Sequence, residues 1–538
     1  MAFFDFPAQA RELRHYHALS KHRPEAYAPG PGRLDWATQP DPFRRYPGAP
    51  EIPLPLAGDH LETPWNALFR PGETAAAPMD RAHIGTLLEI SLGLSAWKRL
   101  GSQRWALRCN PSSGNLHPSE GWIACPALPD LDPGLYHYAP REHLLERRAR
   151  RRDPPVAFAG NLLFGLSSIP WREAWKYGAR AFRYCQLDAG HALAALSYAA
   201  RALGWEARLL TCPGDGELAR WLGLNRNDDY RDAEPEFPEF ALALGPDPEH
   251  LDPSPLLTPG AATAWSGQAS RLSPETRPWP AIEQALSGSR KPPTVPLADP
   301  DVRPWPALSP LPDAPHAADL IRQRRSAQAY DPEGRLPAAA LFRLLDALLP
   351  RRQAPPWNAL PWPPRVHPLV FVHRVEGLAA GLYALPRSTA GEQALRRRLD
   401  PGLLWQRVGT APRHLPLYLL RPGDTRQASG FIACHQAIAA DGCVAFALPA
   451  DLEELDEGPW LYRHAFWEAG MIGQVLYLEA EAAGYRGTGI GCFFDDLLHR
   501  LVGLDPEGPW QDLYHFTLGR PLNDTRLETL PPYAHREP

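Results

Sequence analysis

LDAGHALAALSYAARALG, residues 187–204, and WEAGMIGQVLYLEAEAAG, residues 467–484, are two versions of one element. Each opens with an acidic residue, Ala and Gly, runs on as an almost unbroken apolar helix, and ends at glycine. Gly190 to Gly470, Gly204 to Gly484 and Gly223 to Gly503 are each 280 residues apart, and Leu222-Gly223-Leu224 stands against Val502-Gly503-Leu504. A match of that length marks one large domain duplicated, not a short-period solenoid. Upstream, His117-Pro118 pairs with His367-Pro368, and Gly134-Leu135-Tyr136 with Gly381-Leu382-Tyr383. Downstream, FALALG (240–245) pairs with YHFTLG (514–519). A helix apolar on all sides belongs between layers. Strands interspersed with helices around it predict an α+β sandwich in each copy.

The rest of the chain agrees with two domains. At 538 residues it exceeds what one hydrophobic core usually supports, and its 44% apolar and 22% charged residues are ordinary for a globular protein. Its 64 prolines are not ordinary. They concentrate in an aromatic-rich arm, residues 1–80, and in a connector, residues 251–315, expected to be extended and polyproline-like. The two copies then occupy residues 81–250 and 316–538. A formal charge of −5 gives no basic field for nucleic acid, and the run Arg147 to Arg152 reads as a solvated face. No stretch approaches the ~20 apolar residues of a membrane span. MAFFDFPAQARELRHYH has no signal-peptide core, and the seven cysteines form no C-x-x-C pair. A cytoplasmic protein with reduced thiols is the expectation.

The copies are most informative where they disagree. Copy one carries Arg108-Cys109-Asn110-Pro111-Ser112-Ser113-Gly114-Asn115-Leu116-His117-Pro118. Such a loop can bring small polar groups and backbone N–H close to a flat heteroaromatic ring or an anion. Copy two has Leu360-Pro361-Trp362-Pro363-Pro364-Arg365-Val366-His367-Pro368, without the serines, the glycine or the asparagine. Copy two instead begins with Ile321-Arg322-Gln323-Arg324-Arg325-Ser326, a set suited to clamp a phosphate, and follows its last strand with Arg520 and Arg526. Copy one has no arginine-serine cluster at the matching place.

Arg324-Arg325-Ser326 resembles the Arg-Arg-Ser opening of flavin-dependent nitroreductases. Asn110-Pro111-Ser112-Ser113-Gly114-Asn115 with His117-Pro118 is similar to the ring-facing loop of that family, above all in its SagB/ThcOx-type dehydrogenase branch. The arm segments HYHALSKH and DWATQPDPFRRY look like the extension of its long tandem members. The resemblance implies tandem nitroreductase-like, FMN-dependent domains whose intrachain pseudo-dimer replaces the usual homodimer. It assigns cofactor contacts to Arg108, Ser112, Ser113, Gly114, Asn115, Arg324, Arg325 and Ser326. Gln328 stands where the family often has a further arginine, so Arg520 or Arg526 is expected to share the phosphate. Only one pairing of loop and clamp is complete, so one FMN per chain is expected.

Two further segments bear on chemistry. Gly487-Thr488-Gly489-Ile490-Gly491 reads either as a tight turn or as a source of N–H groups for the ring, through Gly489 and Gly491. Lys176-Tyr177 has no lysine counterpart in copy two. From residue types alone it is an ordinary exposed pair. The resemblance makes Lys176 the base and Tyr177 its partner in a dehydrogenase that turns an azoline into an azole, on a small molecule or a modified peptide within a set of biosynthetic partners. An NAD(P)H-dependent nitro or quinone reductase and a flavin-free partner-binding protein are the alternatives. No metal site is expected at His15, His17 and His22, which lack companion carboxylates or thiols, and His191 reads as a core histidine.

Overall fold

The computed structural model describes residues 4–152, 155–258, 262–297, 300 and 303–536. Each copy builds one antiparallel sheet, and the two sheets share one strand order. The shared order covers the six strands after the first, because the first edge strand is supplied from a different part of the chain in each copy. In copy one the order is Glu51–Pro53, Leu144–Arg151, Gly134–Ala139, Ser119–Cys125, Leu162–Ser168, Phe237–Gly245, Glu206–Leu209, with Ala262–Thr263 added beside Leu144–Arg151. In copy two it is Gln406–Arg407, Tyr418–Pro422, Gly381–Ala384, Leu369–Val372, Val444–Asp451, Trp510–Gly519, Arg486–Ile490. The His-Pro, Gly-Leu-Tyr and FALALG/YHFTLG segments fall at matching places in both.

The long apolar helices are Ala181–Ala202 and Leu461–Ala482. All of the first and every residue from 462 to 480 of the second are buried. They cross at the two aligned glycines. A Cβ on Gly190 would overlap the Trp467 carbonyl, and one on Gly470 would overlap the Leu187 carbonyl. Leu187 and Trp467 are themselves 280 residues apart, so the contact is reciprocal, as an internal two-fold axis requires. Two ion pairs obey the same axis. Arg183 Nη1 lies 2.5 Å from Asp495 Oδ1, and Arg463 Nη2 lies 2.8 Å from Asp215 Oδ2; the partners again differ by 280.

Two features depart from the sequence expectation. The proline-rich connector contains a helix, Pro280–Gly288, started by proline and stopped at glycine. Its Ile282 and Ala285 are buried, and its Gly288 lies against the helix Phe6–Leu19 of the arm, close to the Gln9 carbonyl and Leu13. Periodic apolar residues between the prolines favour helix there over unbroken extended chain. Residues 94–108 fold as a hairpin, Leu94–Leu100 with Gln103–Arg108, turning at Gly101 with φ 59°. The C-terminal strand Glu528–Leu530 of copy two joins this hairpin through the pairs Trp97–Leu530 and Arg99–Glu528. The hairpin ends at Arg108, where the polar loop of copy one begins. Copy two therefore grips the base of that loop. Among the described residues, no helix is long and apolar enough to cross a membrane.

Candidate functional site

The loop after Arg108 is held in a costly conformation. Gly114, Asn115 and His117 all have positive φ (60°, 59° and 51°), a region that non-glycine residues occupy only when their surroundings enforce it. The enforcement is visible. Asn115 Nδ2 donates to the Ala106 carbonyl at 2.6 Å, and Asn115 Oδ1 lies 2.9 Å from His117 Nε2. The His117 N–H donates to Ser112 Oγ at 2.8 Å, and Arg172 Nη1 donates to the His117 carbonyl at 2.8 Å. Burial first, and then Arg108 and Arg172, hold the His117 imidazole well below its usual pKa, so it is neutral.

On one side the loop faces the arginines of copy two. The helix Ala317–Gln323 ends at the start of the Arg-Arg-Ser motif, and Arg324 Nη2 donates to the Arg108 carbonyl at 3.2 Å. Between them lies a cavity of about 610 Å³, within the range of small-molecule and cofactor sites. Arg108, Ser112 and Asn115 line it from copy one, and Arg324, Arg325, Ser326 and Gln328 from copy two. It is predominantly cationic, with Glu481 3.8 Å from Arg486 as a partial counter-charge. Lys98 and Arg486 also line it, while its one carboxylate, Asp524, is paired with Arg526 at 2.7 Å. The strain of this crowding shows in the titration of the cations. Burial, then the charge of Arg324, pushes Arg325 down to about 10; burial, then Arg325 and Arg486, lowers Lys98. Nε and Nη1 of Arg324 and Nε of Arg108 are buried without a hydrogen-bond partner. Buried donors without acceptors are expensive, and an anion in the cavity would supply the acceptors.

On its other side the loop packs on the helix Pro170–Tyr177. Gly114 is required there: a Cβ would collide with Tyr177 Oη and lie 3.1 Å from Lys176 Nζ. Tyr177 rests on Tyr184 with ring centroids 4.6 Å apart, and burial raises its pKa well above the usual phenol value. Behind the two serines sit two acids that sequence reasoning did not select. Ser113 N–H donates to Asp188 Oδ1 at 3.2 Å, and Ser112 Oγ donates to Glu173 Oε1 at 3.5 Å. Asp188 carries the acidic position of the 187–204 motif, where it reads as a helix opener; its alignment with Glu468 was the available signal.

The remaining expected site residues lie elsewhere. Arg520 and Arg526 are 70% and 78% exposed and line no part of the cavity, so Lys98 and Arg486 take the place expected of them beside the clamp. Gly489 N–H donates to Tyr477 Oη at 2.8 Å, inside the strand Arg486–Ile490. The Gly491 carbonyl accepts from Tyr184 Oη and from Arg180. These glycines make room for tyrosines that back the cavity and do not line it themselves. His191 bridges Gln474 and Tyr514, and His17 bridges Tyr462 and Gln511, all at 2.9–3.2 Å.

Around the copy-two loop the pocket lined by Asn358, Leu360, Trp362 and Pro364 measures about 90 Å³. Trp362 stacks on His464 at 4.3 Å with planes 6° apart, and Asn358 closes on Glu206, the residue aligned with Arg486.

The fold is that of tandem nitroreductase-like α+β domains forming an intrachain pseudo-dimer. Similarity over nearly the whole molecule is found to a nitroreductase candidate from Anabaena variabilis, with 24% identity, 95% of this chain and 99% of that chain covered, and a TM-score of 0.68. A nitroreductase candidate from Ralstonia eutropha aligns at 18% identity over 42% of this chain and 94% of its own, TM-score 0.27. The E. coli microcin synthetase McbBCD complex with truncated pro-MccB17 bound aligns at 15% identity over 42% and 79%, TM-score 0.28. No family model and no curated protein matches the chain.

Proposed function

We propose that the protein is an FMN-dependent oxidoreductase of the SagB/ThcOx type that dehydrogenates an azoline or a comparable ring, binding one FMN per chain. The observation that carries this reading is the cationic cavity with unpartnered Arg324 donors, lined by both motifs, with Lys176 and Tyr177 packed against the opposite side of the same loop. The residues fit the cofactor. Arg324, Arg325 and Ser326, with Lys98 and Arg486 nearby, would hold the phosphate, and Ser112 to Asn115 would approach the ring. Bound there, FMN supplies a hydride acceptor and the protein supplies position and charge. Lys176 Nζ takes the proton from the carbon next to the one that loses hydride. The Tyr177 hydroxyl, kept protonated by burial, orients the substrate heteroatom as a donor.

The test is Lys176→Ala in protein replete with FMN, assayed on a synthetic peptidyl-thiazoline by the loss of two hydrogens in mass. Turnover is expected to fall by about 10²–10⁴-fold with flavin content unchanged. Unchanged turnover would remove Lys176 as base. Anaerobic bleaching by NAD(P)H, without turnover of the thiazoline, would move the reading to a nitro or quinone reductase.

A further inference from the structure

The two acids behind the serine turn are buried side chains of one site. Glu173 and Asp188 are 0% and 2% exposed. Each uses one oxygen on the loop, while Glu173 Oε2 and Asp188 Oδ2 are buried with no hydrogen-bond partner. Two ionised carboxylates cannot share such a place; one held proton relieves both the desolvation and the mutual repulsion. The internal duplication supplies a control. Glu468 holds the position of Asp188 in copy two, where it is ion-paired with the buried Arg387 and accepts the Arg365 N–H at 2.9 Å. Copy two has no counterpart of Lys176. Where the lysine is missing, an arginine neutralises the acid; where the lysine is present, the acid is left with hydroxyl and amide donors.

We propose that Glu173 and Asp188 form a proton-sharing pair that receives from Lys176 the proton it removes from substrate, restoring the free amine. The inference rests on the reading of Lys176 as base. The helix Pro170–Tyr177 puts Glu173 one turn before Lys176 and Tyr177, at i+3 and i+4 on the same side. The transfer balances: Lys176 ammonium and the one ionised carboxylate of the pair become amine and carboxylic acid, and the proton then passes to water. An ordinary carboxylate would only hold the ammonium. Burial, however, raises both acids, Asp188 up to about 7 and Glu173 further through the charge of Asp188, which narrows the gap to an amine. The other charged and titratable groups facing the pair are Arg108, Arg172, Lys176, Tyr177, Cys185 and Tyr514. Arg108 is tied to the Ser119 and Pro42 carbonyls, and Arg172 to Glu120. Neither arginine closes an ion pair with Glu173 or Asp188. Both acids act through Lys176 and are positioning residues.

The experiment uses the full chain carrying Asp188→Asn or, should that variant not fold, Glu173→Gln. The first readout needs no cofactor. An acid near 7 in the folded chain and near ~4 in the unfolded one gives the native state the extra proton between those values. Its stabilisation is complete below the unfolded pKa and is lost as pH rises through 7. The amide cannot lose that proton, so the Tm of the variant should gain on the wild type from pH 5 to pH 7 and level off above it. The second readout is kcat on the peptidyl-thiazoline with FMN bound. It should drop at least about tenfold and lose its rise centred near pH 7, with flavin content intact. A Tm difference flat with pH overturns the shared proton. A sloping Tm difference with a wild-type kcat profile overturns the relay. If Lys176→Ala is silent while the Tm slope appears, the reading of Lys176 fails and the proton-sharing pair stands.

Discussion

The two halves place the same backbone around two very different spaces. Around Ser112 to Asn115 and the Arg324–Ser326 clamp about 610 Å³ is open, whereas around Trp357 to Pro364 only about 90 Å³ remains. The difference is made by a few side chains. Trp362 stacks on His464 where copy one has its polar loop, Glu206 replaces Arg486, and Arg387 pairs with Glu468 where Asp188 forms no ion pair. A homodimer must keep loop and clamp in every subunit. A fused pair can divide them, and the surplus site becomes ordinary packing. The helix crossing cannot be divided, because both copies need it, and there the halves remain reciprocal to the residue.

That symmetric crossing is where the comparison breaks most severely. Gly470→Val drives a side chain into the Leu187 carbonyl and the backbone of His191, which lies 3.0 Å from the missing Cβ. A loss of about 3 kcal/mol is expected, read as a lowered Tm and as loss of the single bound flavin. A much smaller drop would mean that the helices can slide apart, and that the internal axis is loosely held.

The asymmetric clamp gives a smaller effect. Arg324→Gln removes charged donors that now have no acceptor, and should weaken FMN binding about 10- to 100-fold in a flavin titration. Arg520→Gln should leave that affinity unchanged, since Arg520 is exposed and lines no part of the cavity. If the two variants behave alike, the cavity is not the phosphate site.

Much of this was legible in the residues. The duplication, the buried helices and the α+β class all follow from motifs that repeat at fixed offsets. What was not legible depends on contacts distant in sequence. Lys98 reaches the clamp only because residues 94–108 turn back as a hairpin and the C-terminal strand seals it. Arg520 and Arg526 looked suitable by sequence proximity to the last strand, but that strand ends facing solvent. Asp188 was in view as the start of a helix motif. Its distinct setting emerges only when Glu468 is found ion-paired with Arg387 and Asp188 without an ion pair.

The central claim is that one chain holds one shared site. Flavin released from gently purified or FMN-reconstituted protein, divided by chain concentration, tests it most directly. A ratio near one is predicted. A ratio near two would mean that the Trp362 side also opens to bind FMN, and would contradict the division of the two halves.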